Sequence, residues 1–370
     1  MPKIFLAGDV MTGRGIDQIL PHPGDPSLFE AHVTSALGYV ALAENAHGAI
    51  ERPAAYSRVW GDSLDALAMH NPDVKVVNLE TAITDRGAPE PKGINYRMHP
   101  ANVAVLQAAG IDCCTLANNH VLDWGEPGLL DTLSTLKGAG ILSTGAGRSL
   151  AEASQPAAIE IAGGGAILVF GMGVRDSGIP PHWAAGKDRA GVRLLPDLSA
   201  RTAGKLASEI GARRRAGDIV IVSVHWGSNW GYAIPPSYRD FAHALIDLGA
   251  CDILHGHSSH HARAIEVYRG KPILYGCGDF IDDYEGIRGY EEFRGDLSPM
   301  YLASVSDTDG TLEALTVELF QMRRFRLCRA SLRDVKWFET NMNRHSQELG
   351  VCLSAERGGA LRVAWGNAKG

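Results

Sequence analysis

Residues Asp218–Gly227 read Asp-Ile-Val-Ile-Val-Ser-Val-His-Trp-Gly. A run of β-branched residues interrupted only by Ser223, too short for a helix and halted by Gly, is the pattern of a strand buried on both faces. It ends on His225, a potential metal ligand. The same phrase recurs along the chain. Lys3–Ala7 is an apolar strand that stops at Gly8-Asp9, and Asp73–Leu79 is one that stops at Glu80. Ile111–Leu116 runs into Ala117-Asn118-Asn119-His120, and Cys251–Leu254 opens onto His255-Gly256-His257-Ser258-Ser259-His260-His261.

Helical segments alternate with these strands: Ser57–His70, Ala101–Ala109, Pro127–Lys137, Leu198–Ala212 and Ser237–Leu248. Such alternation predicts a largely parallel α/β core. Hairpins are expected for 157–162 with 166–171 around Gly163-Gly164-Gly165, for 263–268 with 272–275, and for 300–306 with 312–320 over Asp309-Gly310. They make the sheets mixed. The stretch from Val10 to about Arg52, broken by Pro21, Pro23, Gly24 and Pro26, reads as loop. A helix near 333–349 and a strand at 361–365 close the chain.

Composition narrows the classes. The 370 residues carry 35 Lys+Arg against 42 Asp+Glu, a net charge of −7. That balance disfavours a nucleic-acid backbone binder, which needs clustered cations. Arg213–Arg215 and Arg323-Arg324 with Arg326 read as solvated faces. No stretch approaches the ~18 consecutive apolar residues of a membrane helix. The N-terminus reads as a strand, so no leader and no membrane anchor is expected. The six cysteines form no CxxC pair, which argues for free thiols in a reducing, cytoplasmic setting.

Open α/β sheets bind ligands beyond the carboxyl ends of their strands. Taken singly, Asp9 is also a turn residue, Glu80 a surface acid and His225 a core histidine. Together, five strand ends each deliver a ligand-type residue. Imidazole, carboxylate and amide donors without thiolate suit Zn²⁺, Mn²⁺ or Fe better than Ca²⁺. The acidic, aromatic stretch Gly278–Gly295 reads as a solvated loop or a lid, and Asn229–Tyr232 as a cleft wall or core packing.

This ordered set resembles the calcineurin-like metallophosphoesterase superfamily and, within it, the CapA (PGA_cap) family of poly-γ-glutamate capsule biosynthesis. The match rests on Gly8-Asp9-Val10-Met11 with Arg14, Asn78-Leu79-Glu80, Ala117–His120 with Asp123 and Gly125, His225-Trp226-Gly227, Gly256–His260 and Gly276–Phe280. The resemblance implies a four-layer α/β/β/α metallophosphatase-like sandwich with mixed sheets, over residues 1–320, and leaves 321–370 as a C-terminal extension packed on it. It makes Asp9, Glu80, Asn119, His225, His257 and His260 metal ligands, with His255 or His261 as alternatives to His260. His120, Arg14 and Asn118 are the catalytic candidates: His120 assists the leaving group and Arg14 faces an anionic substrate.

Met11 stands where many members place a histidine, Glu80 where Asp is usual, and the last histidine motif has wider spacing. One or two divalent transition-metal ions (Mn, Zn or Fe) are therefore implied. The expected activity is metal-dependent hydrolysis of an anionic small-molecule or peptide substrate at an amide or γ-glutamyl bond by metal-activated water. A phosphoesterase, or an accessory protein for a γ-glutamyl ligase or polymer synthase, stays open.

Overall fold

The computed structural model describes residues 1–162 and 164–366; Gly163, in the first predicted hairpin, and residues 367–370 lie outside them. Two sheets organise the chain. The first holds, in spatial order, Val351–Ala355, Leu361–Trp365, Leu312–Met322, Leu297–Val305, Lys3–Val10, Val74–Leu79, Cys113–Thr115 and Leu142–Thr144. Asp279–Ile281 adds beside the first strand, and Leu327–Arg329 beside Leu312–Met322. The run from Lys3–Val10 to Leu142–Thr144 is parallel and the rest of the main path antiparallel. The second sheet runs Ile265–Tyr268, Lys271–Leu274, Ile253–His257, Ile219–His225, Ala166–Gly173 and Ala157–Glu160. Its centre is parallel and both edges are hairpins.

Side-chain alternation sets the layers. Ile4, Leu6, Val74 and Val76 face inward and share one core with Ile167, Val169, Ile219, Ile221 and Ile253 of the second sheet. Phe5, Ala7, Val77 and Leu79 face outward, under helices Leu37–His47, Ser63–His70 and Gly125–Gly138. Phe170, Val220, Val222 and Leu254 face the other way, under helices Ala200–Gly211 and Pro236–Asp247. The result is a four-layer α/β/β/α sandwich with mixed sheets. Its inner strands bury both faces, which is why they read as continuous apolar runs.

The C-terminal residues continue this architecture. Strands 327–329, 351–355 and 361–365 extend the first sheet, while Val335, Phe338 and Met342 of helix Leu332–Ser346 enter the inter-sheet core. Among the described residues no helix is long and apolar enough to cross a membrane. The six cysteines are free, and Cys113, Cys114, Cys251 and Cys277 are buried.

Several local expectations change. The N-terminal loop contains helix Leu37–His47, packed through Tyr39, Val40 and Ala43. Segment 57–70 breaks at Gly61, which has a φ of +48° and where a Cβ would lie 2.2 Å from the Leu327 carbonyl oxygen. Both features exclude a side chain there. The helix at 101–109 is a 3₁₀ turn, Pro100–Val103, followed by one α-turn, Ala104–Gln107. The strand expected at 251–254 starts at Ile253 and carries His255 and His257 inside it.

Candidate metal centre

The parallel strands of both sheets end on one edge. Pairing between the first strand and Val74–Leu79 slips at Gly8: Ala7 faces Val77, yet Asp9 faces Asn78. This bulge turns Asp9 beside Asp279, its partner on the other flank. A Cβ on Gly8 would lie 1.9 Å from the Gly278 carbonyl oxygen, so only glycine allows that approach.

Asp9 is held on both oxygens. Asn78 Nδ2 donates to Oδ1 (2.8 Å) and the Ser258 N–H to Oδ2 (3.3 Å). Ser258 has a φ of +103°, an unusual value for a non-glycine residue, at the turn that follows His257. Asn78 also reaches Glu80 Oε2 (3.3 Å) and accepts from Thr115 Oγ1 (3.2 Å) and Asn118 Nδ2 (3.1 Å). Asn118 further donates to the Leu79 carbonyl and accepts from the N–H groups of His120 and Val121. Its side chain is thus committed to shaping the loop that aims its neighbours.

Those neighbours converge on the histidines. Asn119 Oδ1 lies 3.0 Å from His225 Nε2, and His225 Nδ1 lies 2.8 Å from His257 Nδ1. His257 Nε2 is turned to Ser223 Oγ at 2.8 Å. Donor atoms of Asp9, His225 and His257 all fall within 4.8 Å of one another, and so do those of Asp9, His260 and Asp279. Asp9 belongs to both groups. His260 Nδ1 sits 3.0 Å from each Asp279 oxygen.

Of the alternatives to His260, neither joins these groups. His255 spends Nδ1 on Ser223 Oγ (3.1 Å) and Nε2 on the Ala7 carbonyl (2.9 Å), tying one sheet to the other. His261 is packed among Trp230, Tyr232 and Phe293.

Burial governs the charges. It lifts Asp9 to about 6 and Glu80 well above the usual carboxylate range. It pushes His225, His257 and His120 well below the imidazole range. Burial opposes a charge on His260 as well, but the adjoining Asp279 carboxylate prevails and holds it up at about 9.

His120 stands at the rim of this set. Its Nδ1 is 2.6 Å from Asp123 Oδ2, its Nε2 is 3.8 Å from Glu80 Oε1, and its ring stacks on Tyr96 at 3.8 Å. Lys92 forms an ion pair with Asp123 Oδ1 (2.6 Å) and donates a hydrogen bond to the Asn119 carbonyl. Arg14 lies behind Tyr96, and its guanidinium is filled from within the protein. Asp283 takes Nε (3.0 Å) and Nη2, and Glu30 takes Nη1 (2.9 Å). The fork that the sequence assigned to a substrate anion is occupied by the buried Asp283 and the partly buried Glu30, because a buried guanidinium needs such partners. Tyr39 and Tyr96 flank it at 3.6 and 4.9 Å.

Two further readings of the sequence are refined. Asp279, Asp282, Asp283 and Glu285 of the acidic stretch are buried; only its later part, from Gly286 to Glu292, is exposed. Trp230 stacks on Tyr290 at 4.2 Å, and its ring centre lies 5.4 Å from that of His260. Tyr232 and Phe293, which pack on His261, also line a cavity of about 470 Å³ together with Trp337, Asn341, Arg344 and His345. Sequence reasoning missed Asp279 as a donor because it begins a strand, whereas the signal followed was strand ends. It missed Lys92 and Tyr96 because they lie in a Gly/Pro-rich connection.

The chain is similar to known proteins. Residues 3–284 match the family described as "Bacterial capsule synthesis protein PGA_cap". A Mycobacterium tuberculosis (strain H37Rv) protein named "Probable polyglutamine synthesis accessory protein" is 48% identical over 97% of this chain and 95% of its own length. The "PGA biosynthesis protein CapA" of Bacillus subtilis (strain 168) is 27% identical, over 75% of this chain and 62% of its own. The "Capsule biosynthesis protein CapA" of Bacillus anthracis is 25% identical, over 75% and 59%.

Proposed function

The chain belongs to the bacterial capsule synthesis protein PGA_cap family, and from there we propose that it is a metal-dependent hydrolase of an amide or γ-glutamyl bond in an anionic poly-γ-glutamate-like chain or small peptide. The observation that carries this reading is the convergence of Asp9, His225 and His257 donor atoms within 4.8 Å. The donor set fits a transition-metal ion. Both imidazoles are buried and kept neutral, the state in which each offers a lone pair. Ser223 on His257 and Asn78 on Asp9 fix the ligands from behind. Glu80 and Asn119 lie beside them and complete the set.

A divalent ion held there supplies Lewis acidity and lowers the pKa of water. The remaining work belongs to the chain. Asp123 accepts the Nδ1 proton of His120, and Tyr96 holds the ring flat. The neutral ring then presents Nε2 to the cleft, where it takes a proton and returns it to the departing amine. Lys92 keeps Asp123 paired and braces the Asn119 backbone. Arg14, locked to Asp283, positions Tyr96 from behind.

A second reading draws on the name of the Mycobacterium relative: an accessory protein that holds a metal and serves a glutamyl ligase or polymer synthase without turnover of its own. One experiment separates the two. The full chain is purified without chelator, analysed for metals, and assayed on γ-glutamyl amides and phosphoesters. The hydrolase reading expects stoichiometric metal and turnover of a γ-glutamyl amide that His257→Ala lowers by at least about 100-fold, at the upper end of what loss of a supporting group costs. Metal without turnover establishes the accessory reading; turnover of phosphoesters alone moves the bond to phosphorus; absence of metal overturns both.

A further inference from the structure

We infer that Asp279 is a ligand of a second divalent cation, held with Asp9 and His260 beside the position formed by Asp9, His225 and His257. The inference rests on the metal reading above and deepens it. Met11 is buried and its N–H bonds the Ile281 carbonyl at 2.8 Å. The strand alongside Met11 is therefore Asp279–Ile281, the one that carries the extra carboxylate. Parallel pairing sets Asp9 opposite Asp279, and the Asp9 N–H reaches the Gly278 carbonyl at 3.2 Å. The pairing brings the two carboxylates together, and donor atoms of Asp9, His260 and Asp279 fall within 4.8 Å of one another.

Charge leads to the same place. Asp9, Glu80, Asp279 and Asp282 are all at most 4% exposed. The cations nearby are largely committed elsewhere: Lys92 to Asp123, and Arg14 to Asp283 and Glu30. Among the described residues His260 is the only basic side chain in an ion pair with Asp279. Among the described residues Asp282 Oδ2 is buried with no hydrogen-bond partner. Buried carboxylates in such excess either hold protons or share a cation, and the imidazole of His260 beside Asp9 and Asp279 makes a ligand set for the latter. Two carboxylates and one imidazole form a harder set than Asp9, His225 and His257, so the second position favours Mn²⁺ or Fe²⁺ over Zn²⁺.

The test uses the full chain stripped with chelator and titrated with Mn²⁺ alone, by equilibrium dialysis and by electron paramagnetic resonance of bound Mn²⁺. The wild type binds two ions. Asp279→Asn, which keeps shape, weakens one of them at least about 10-fold, as loss of a charged contact does, and Asp279→Ala abolishes it. His257→Ala weakens the other. Circular dichroism and melting temperature identify any variant that fails to fold, in which case Asp279→Asn decides. A wild type that binds one ion, lost in His257→Ala, overturns the inference and spares the proposed function; so does unchanged two-ion binding by Asp279→Asn, which reduces His260–Asp279 to an ion pair only. A wild type that binds no Mn²⁺ here and carries no metal when purified without chelator overturns the proposed function itself.

Discussion

His255 sits inside the histidine run, yet both ring nitrogens are used between the sheets, on Ser223 Oγ and the Ala7 carbonyl. Burial holds it near 4, against about 6.5 for a free imidazole. The folded state thus prefers the neutral ring. Its contribution is complete above pH 6.5 and is lost as pH falls from 6.5 toward 4, where the unfolded chain binds the proton first. The shift corresponds to about 3 kcal/mol. Urea unfolding of the chelator-treated protein should therefore show a steep acid limb in that window, shallower in His255→Gln. Identical limbs would remove His255 from the sheet contact. The histidine run itself was legible as a ligand source, but its members are chemically alike in sequence. Only their hydrogen bonds separate the sheet tie at His255 and the aromatic packing of His261 from the donors at His257 and His260.

At the scale of elements, the site depends on how two strands approach. The bulge at Gly8 and the Gly278 carbonyl touch where any Cβ would clash. Gly8→Ala should destabilise the fold by roughly 3 kcal/mol, the upper range for forced overpacking. It should also weaken Mn²⁺ binding, because Asp9 and Asp279 separate together. Denaturant midpoints and Mn²⁺ titration check both, and a variant with wild-type values in each would show that the strands give way elsewhere. Strand ends were readable because continuous apolar runs stop abruptly at polar residues. Helix Leu37–His47 was not, because Leu37, Leu42 and several alanines leave no marked polar face, and Pro21, Pro23 and Pro26 earlier in the segment suggest a loop. The short strands Leu142–Thr144 and Asp279–Ile281, three residues each, carry too little pattern to stand out from turns.

At the scale of the molecule, the inter-sheet core is one unit that reaches into the C-terminus. Phe338 is 3% exposed in the same core as Ile4 and Ile221. Ser346 Oγ accepts from the Ile265 N–H, joining that helix to the second sheet. Phe338→Ala should cost about 4 kcal/mol, as large-to-small changes in cores do, and the whole chain should still unfold in one transition. A separate early transition confined to the C-terminal segment would instead mark it as an independent appendage.

The order of residues along the chain was enough to establish the α/β class, the one-edge placement of Asp9, Glu80, Asn119, His225 and His257, and the family resemblance. These follow from period and succession, which local physics writes directly. Folding in three dimensions settled which donors meet, that Arg14 is filled by Asp283 and Glu30, and that Asp279 stands beside Asp9. Those outcomes depend on register and on burial between segments some 270 residues apart, and pairing across such distances leaves no periodic trace in either segment.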